Sequence, residues 1–171
     1  MVTEWALRRR ERLDGLTDLL GYAPMAEVLD VGCHRGLVGY EFVKRGAILV
    51  HGCDHNAEAI ACARTLFKDV DAQSKFEVCD ITLPDALDWC NLHYDIVLLL
   101  GVYHKLKRAM SATALETLIE QLSERSRRFF AWNGHADEYT EVSGVLGHMK
   151  LVHWSLLTQQ PTAMTAVWKR A

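Results

Sequence analysis

The chain has 171 residues, half of them hydrophobic, with a formal net charge of -3. That length suits one domain with a full core, expected as a single unit over residues 1–171 with an N-terminal helix in 1–22 and a core in 23–171. The mildly acidic balance excludes a general attraction to nucleic acid, and apolar runs such as Ile96 to Leu100 are far too short to span a membrane. Five cysteines, at 33, 53, 62, 79 and 90, form no CxxC pair. They fit a reduced, cytoplasmic setting better than a disulfide framework, and no metal site is expected. The N-terminus lacks the apolar stretch and cleavage site of a signal peptide.

In chain order, residues 4 to 20 read as a helix with Trp5, Leu13, Leu16, Leu19 and Leu20 apolar and Arg8, Arg9, Arg10 and Arg12 spread around it. A first strand follows over Val28 to Val31, then a helix from about Gly36 to Arg45. The run Ala47 to Cys53 is a buried-type strand ending in Asp54, and a helix from Asn56, a suitable N-cap, reaches about Lys68. Lys75 to Cys79 forms a third strand ending in Asp80, with a short helical segment near Pro84 to Trp89. Tyr94 to Leu100 is a continuous apolar strand of the kind covered on both faces. A helix from Ser111 to about Glu124 carries Leu115, Leu118, Ile119 and Leu122 at helical spacing. Arg128 to Trp132 is a fifth strand and Asp137 to Leu146 a helix. Lys150 to Leu156 and Thr162 to Lys169 close the chain as an antiparallel hairpin. Alternating strands and helices argue for a parallel sheet.

The segment Val28 to Phe42, VLDVGCHRGLVGYEF, joins the first strand to its helix through a glycine-bearing turn with Gly32, Gly36 and Gly39. Asp30 stands where the backbone must approach a ligand. A dinucleotide would bring a pyrophosphate to this turn, and Asp30 would repel it. The spacing also fails, since the first glycine of G-x-G-x-x-G is His34. A ligand bearing an ammonium group and a sulfonium would be attracted instead. Gly39 reads as a packing glycine and Cys33 as a small residue that admits close approach. Asp54 lies 18 positions after Gly36, near the spacing of about 20 for a carboxylate that holds an adenosine ribose. Asp80 can accept from an adenine amino group while Ile81 covers the ring. A single Asp at a strand end is commonly a turn or cap residue. Three in register, with a glycine turn after the first, point to a ligand at the carboxyl ends of the strands.

On these segments, together with YDIVLLLGVYHKL from Tyr94 to Leu106, the chain resembles class I S-adenosylmethionine-dependent methyltransferases over roughly residues 20 to 169. The resemblance implies a Rossmann-like α/β fold with a seven-stranded, mostly parallel sheet in the order 3-2-1-4-5-7-6 and helices on both faces. It implies S-adenosyl-L-methionine as cofactor, with Asp30, Gly32, Cys33 and Gly36 facing the methionine part, Asp54 the ribose, and Asp80 the adenine. His55 and Ile81 border the adenosine, and Gly101 begins the reaction rim. Many members have a third glycine where this chain has His34.

The methyl group is expected to face the end of the fourth strand, at Gly101, Val102, Tyr103 and His104. His104 is the candidate general base, because histidine titrates near neutral pH; Asn133 and His135 are secondary candidates. Lys105, Lys107 and Arg108 follow directly, so an anionic small-molecule acceptor is expected. RNA, which Arg8 to Arg12 would also contact, is disfavoured by the net charge and by the lack of an aromatic stacking platform. No large insertion covers the rim, which leaves room for a partner subunit or a second copy to complete the site. A domain that binds S-adenosylmethionine without turnover, as a sensor or as a subunit of a larger enzyme, is the alternative from another class. A nicotinamide-dependent oxidoreductase is disfavoured by Asp30 and His34. No Asn-Pro-Pro-Tyr-type segment follows the fourth strand, which lowers the case for amide or adenine-amine methylation.

Overall fold

A computed structural model describes residues 13–157, 160 and 162–171. One seven-stranded sheet runs through them in the order β3-β2-β1-β4-β5-β7-β6. The strands are β1 (Glu27–Val31), β2 (Leu49–Asp54), β3 (Gln73–Val78), β4 (Tyr94–Leu100), β5 (Ser126–His135), β6 (Lys150–Leu156) and β7 (Ala163–Lys169). β1 to β5 pair in parallel, and β7 runs antiparallel between β5 and β6. The expected sheet order and closing hairpin are therefore present.

Among the described residues six α-helices flank the sheet: α1 (Thr17–Leu20), α2 (Leu37–Val43), α3 (Ala57–Leu66), α4 (Tyr103–Ala109), α5 (Ala112–Glu124) and α6 (Tyr139–Val145). The first three bury Leu19, Leu20, Val38, Phe42, Ile60 and Ala63 on one face. The last three bury Tyr103, Leu106, Leu115, Leu118, Ile119, Leu122 and Val142 on the other. β4, at the centre, contributes to both layers, which is why its sequence is apolar without alternation. Two helix starts follow from local chemistry. The Asn56 side chain accepts from Ala59 N at 3.0 Å, and Ser111 Oγ from Ala114 N at 3.3 Å, each satisfying a first-turn donor.

Four elements depart from expectation. The helix expected over 4 to 20 lies partly outside the described residues; within them a turn at 14–15 interrupts it. Gly15 sits so close to β6 and β7 that an added Cβ would lie 2.6 Å from Thr165 Cβ and 2.7 Å from Ser155 Oγ. Residues 84 to 89 are turns rather than a helix. The sequence marks no helix between β4 and Ser111, yet α4 forms there; its seven residues are too few for a visible periodicity, and it buries Tyr103 and Leu106. β5 runs to His135 instead of Trp132, because Asn133, Gly134 and His135 continue to pair with β7.

The link from β3 to β4 is held by a half-buried polar cluster around the buried Tyr94. Tyr94 Oη accepts from Asn91 N at 2.8 Å and lies 2.7 Å from His51 Nδ1. With one phenolic proton available, Tyr94 donates to a neutral His51. Burial, with Lys75 nearby, lowers the His51 pKa from its ordinary value. A histidine depressed in the folded state supports stability above its unfolded value of about 6.5. That support is lost as pH falls through the folded value, because the unfolded chain binds the proton first. The thermal midpoint should therefore decline as pH drops below about 6.5. His51→Gln, which keeps an acceptor for Tyr94 without titrating, should flatten that decline in calorimetric melts taken from pH 7 to pH 5.

Candidate cofactor and acceptor site

The carboxyl ends of β1 and β2 are clasped by backbone hydrogen bonds. Gly32 N and Cys33 N both donate to Cys53 O, at 2.8 and 2.9 Å. His34 N donates to Asp54 Oδ2 at 3.0 Å, and Asn56 N to Asp54 Oδ1 at 2.9 Å. Each Asp54 oxygen thus holds one N–H and keeps a further lone pair. Cys79 N donates to Asp54 O at 3.1 Å, which ties in the end of β3. Asp80 Oδ1 accepts from Thr82 N and Thr82 Oγ1, at 3.0 and 2.7 Å. Those two bonds hold the exposed Asp80 carboxyl below its usual range. On the far side of β1, Gly101 N donates to Asn133 O at 2.9 Å.

These strand ends open onto a cavity of about 1180 Å³. Asp30, Gly32, Cys33, Asp54, His55, Asp80, Ile81 and Gly101 all line it. Asp30 is 2 % exposed and has a bonded or electrostatic partner. Gly36 lies elsewhere: it packs on α3, where an added Cβ would be 3.1 Å from Ala63 Cβ and 3.2 Å from Phe67 Cε2. Gly39 packs on Val50 of β2. Burial, with Asp30 and Asp54 nearby, pushes the Cys33 thiol well up, so it stays protonated at neutral pH. Cys53 and Cys79 share a hydrogen bond that raises the Cys53 thiol and lowers that of Cys79.

His104 does not line the cavity. Its ring lies edge-on to that of His135, centroids 5.7 Å apart, and burial lowers its pKa from the ordinary value. Asn133 does line the cavity. Of the three cations after β4, Lys105 alone reaches the lining. Lys107 pairs with Glu141, whose carboxylate also accepts from Tyr103 Oη. The expected cationic cluster is therefore one lysine at the cavity and a surface ion pair beside it.

The rim is less bare than the sequence suggested. Leu13, Asp14 and Thr17 line the cavity, as do Val102, Leu106 and Ala109 beside α4, and Leu157 and Gln160 beyond β6. Nothing in the sequence marked Asp14 or Thr17 as site residues; the contact of Gly15 with β6 and β7, and the bond from Thr165 Oγ1 to Asp14 O, bring them there. Among the described residues no group of three or more His, Cys, Asp or Glu side chains is arranged to hold a metal ion, and no helix is long and apolar enough to cross a membrane.

A sequence-family profile described as "Methyltransferase domain" matches residues 28–125, more than half of the chain. The chain belongs to that family, and its sheet order is that of the class I S-adenosylmethionine-dependent methyltransferases. No curated protein matches the sequence. The fold is similar to the magnesium protoporphyrin IX methyltransferase of Synechocystis PCC 6803, crystallised with bound S-adenosylmethionine. The TM-score is 0.77 at 16% identity, over 98% of this chain and 82% of that one. It is also similar to the N-methyltransferase NodS of Bradyrhizobium japonicum WM9, with a TM-score of 0.71 at 14% identity, over 99% of each chain. A third similar structure is the [4+2]-cyclase SpnF, with a TM-score of 0.68 at 10% identity, over 91% and 79%. At such identities the likeness shows the fold; the chemistry has to be argued from the site.

The turn after β1 offers a direct test. Gly32 has φ +77°, and an added Cβ would lie 2.2 Å from Val102 Cγ2. A left-handed alanine costs about 1–2 kcal/mol and overpacking about 1–3 kcal/mol. Gly32→Ala should lower unfolding free energy by about 2–5 kcal/mol in a denaturant titration.

Proposed function

We propose that this protein is an S-adenosylmethionine-dependent methyltransferase acting on a small acceptor, and that the strand-end carboxylates in one large cavity carry that reading. When bound, S-adenosylmethionine supplies a sulfonium methyl group that is already a strong electrophile. The chain's residues fit it. Asp54 keeps a lone pair on each oxygen for the two ribose hydroxyls after satisfying His34 N and Asn56 N. Asp80 and Ile81 stand at the end of β3 for the adenine, with His55 bordering the adenosine. Asp30, Gly32 and Cys33 are proposed to face the methionine part, with Asp30 attracting its ammonium group. Gly101 opens on space: an added Cβ there would meet nothing within 4 Å.

The volume supports turnover over binding alone. Pockets for one drug-sized ligand span about 300–1,000 Å³, and this one holds about 1180 Å³. The surplus accommodates an acceptor beside the cofactor, walled by Leu13, Thr17, Val102, Leu106, Ala109 and Leu157. Such a wall suits a small molecule with an apolar body, and Lys105 suits an anionic group on it. The protein's task is then to hold the nucleophile about 3–3.5 Å from the methyl carbon, in line. His104, turned against His135 and outside the lining, gains no support as a base from its position. Five free cysteines support a reduced, cytoplasmic setting.

Calorimetric titration with S-adenosylhomocysteine tests the cofactor site. Asp54→Ala should weaken binding roughly 10- to 150-fold, the equivalent of about 1.5–3 kcal/mol for a charge-assisted bond. Unchanged affinity in a folded variant removes Asp54 from the site. Lys105→Glu should leave that affinity intact and raise the Michaelis constant for an anionic acceptor at least several-fold. The effect should shrink in high salt; an unchanged constant rules out the anionic contact.

A further inference from the structure

Asn133 is held by a chain of hydrogen bonds that decides which end of its amide is free. Thr165, fully buried on β7, donates its single hydroxyl proton to Asp14 O at 3.0 Å. Its oxygen can therefore only accept from the neighbouring amide, and Asn133 Nδ2 donates to it at 2.9 Å. This fixes the amide orientation by proton count rather than by assignment. Asn133 Oδ1 is left without a partner among the described residues, on a side chain that lines the cavity. The residue stands at the carboxyl end of β5, its carbonyl bonded to Gly101 N.

We propose that Asn133 Oδ1 receives an N–H of the acceptor, and that the acceptor is a small amine with an apolar body and a carboxylate that pairs with Lys105. The inference rests on the methyltransferase reading and names its substrate class. An acceptor-only oxygen binds a nucleophile that still carries hydrogen and leaves its lone pair free to face the methyl group. The two histidines that line the cavity, His34 and His55, stand beyond β1 and β2, and none lines it beyond β4 and β5, which also suits an amine. The nitrogen reacts as the free amine, the form an arylamine has at neutral pH and the form an alkylammonium reaches by first giving a proton to water. Its lone pair forms the N–C bond as the donor's S–C bond breaks and the electron pair returns to sulfur. The methylated ammonium then gives its proton to water, so these proton transfers run to solvent. A hydroxyl would need a base. Thr165 is a positioning residue acting through Asn133.

The test uses the full chain saturated with S-adenosylhomocysteine. Binding of 4-aminobenzoate, anthranilate, phenylalanine and tryptophan is measured by calorimetry beside their hydroxy and N,N-dimethyl counterparts. Methyl transfer from labelled S-adenosylmethionine is followed on the same compounds. At least one amine should bind about tenfold tighter than its dimethyl form and be methylated in preference to its hydroxy form. Asn133→Leu should abolish the binding preference with S-adenosylhomocysteine affinity unchanged. Thr165→Val should weaken the preference and raise the Michaelis constant more than it lowers kcat, and Thr165→Ser, which keeps the hydroxyl, should restore both. Equal binding of amine and dimethyl forms, transfer to hydroxyls instead, or an unaltered preference in Asn133→Leu would overturn the proposal, as would a cofactor-binding protein that methylates none of the amines. Failure of the parent protein to bind S-adenosylmethionine would remove the methyltransferase reading itself, and this inference with it.

Discussion

The site depends on one contact between neighbouring strands. Cys53 O, at the end of β2, accepts from both Gly32 N and Cys33 N, and the Asp54 carboxylate beside it accepts from His34 N. Three successive amides of the turn after β1 are thus anchored on β2. The turn cannot lift away from the sheet, so the cavity's floor is set by parallel pairing between the two strands. Buried backbone donors are costly to leave unpaired, at about 1–3 kcal/mol each, which makes the clasp a condition of the fold as well as of the site. His34, at φ +50°, shows the cost: a non-glycine residue is held in a sparsely populated conformation while its amide meets Asp54.

From that floor the rest of the site is arranged by strand order. Placing β1 at the middle of the parallel run puts the ends of β2 and β3 on one side and those of β4 and β5 on the other. Asp54 and Asp80 therefore collect on one side of the cavity, which the proposal gives to the adenosine, and Gly101 and Asn133 on the other, which it gives to the acceptor. The two halves differ in chemistry as well as place. One holds Asp30, Asp54 and Asp80; the other sets an apolar wall beside Asp14, Thr17, Lys105, Asn133 and Gln160. The antiparallel strand β7 supplies Thr165, which no strand of the parallel run could place between Asn133 and Asp14.

Much of this was legible in the sequence because it follows from local rules. The turn after β1, the strand-end Asp54 and Asp80, the Asn56 cap and the seven-strand order were all readable from spacing, capping chemistry and the resemblance they carried. Gly36 shows the limit. Its place in the motif marks it as a contact, yet Ala63, Phe67 and Phe76 pack over it, and which side of the turn faces ligand is set by where α3 lies. Lys107 shows another: the same run of cations reads as free until Glu141 on α6 is brought against it.

What the sequence by itself determined is the parallel α/β class, the sheet order and the placing of Asp30, Asp54 and Asp80 at strand ends, because each rests on residues close together in the chain or on the resemblance they carry. What only the tertiary structure decided is the acceptor side. Leu13, Asp14 and Thr17 meet Asn133, Leu157 and Lys105 across separations of up to about 150 positions, as in the bond from Thr165 to Asp14. No periodicity or motif encodes such a meeting. It follows from burying both faces of the sheet, which brings the N-terminal segment against β7 and lays α4 along the cavity.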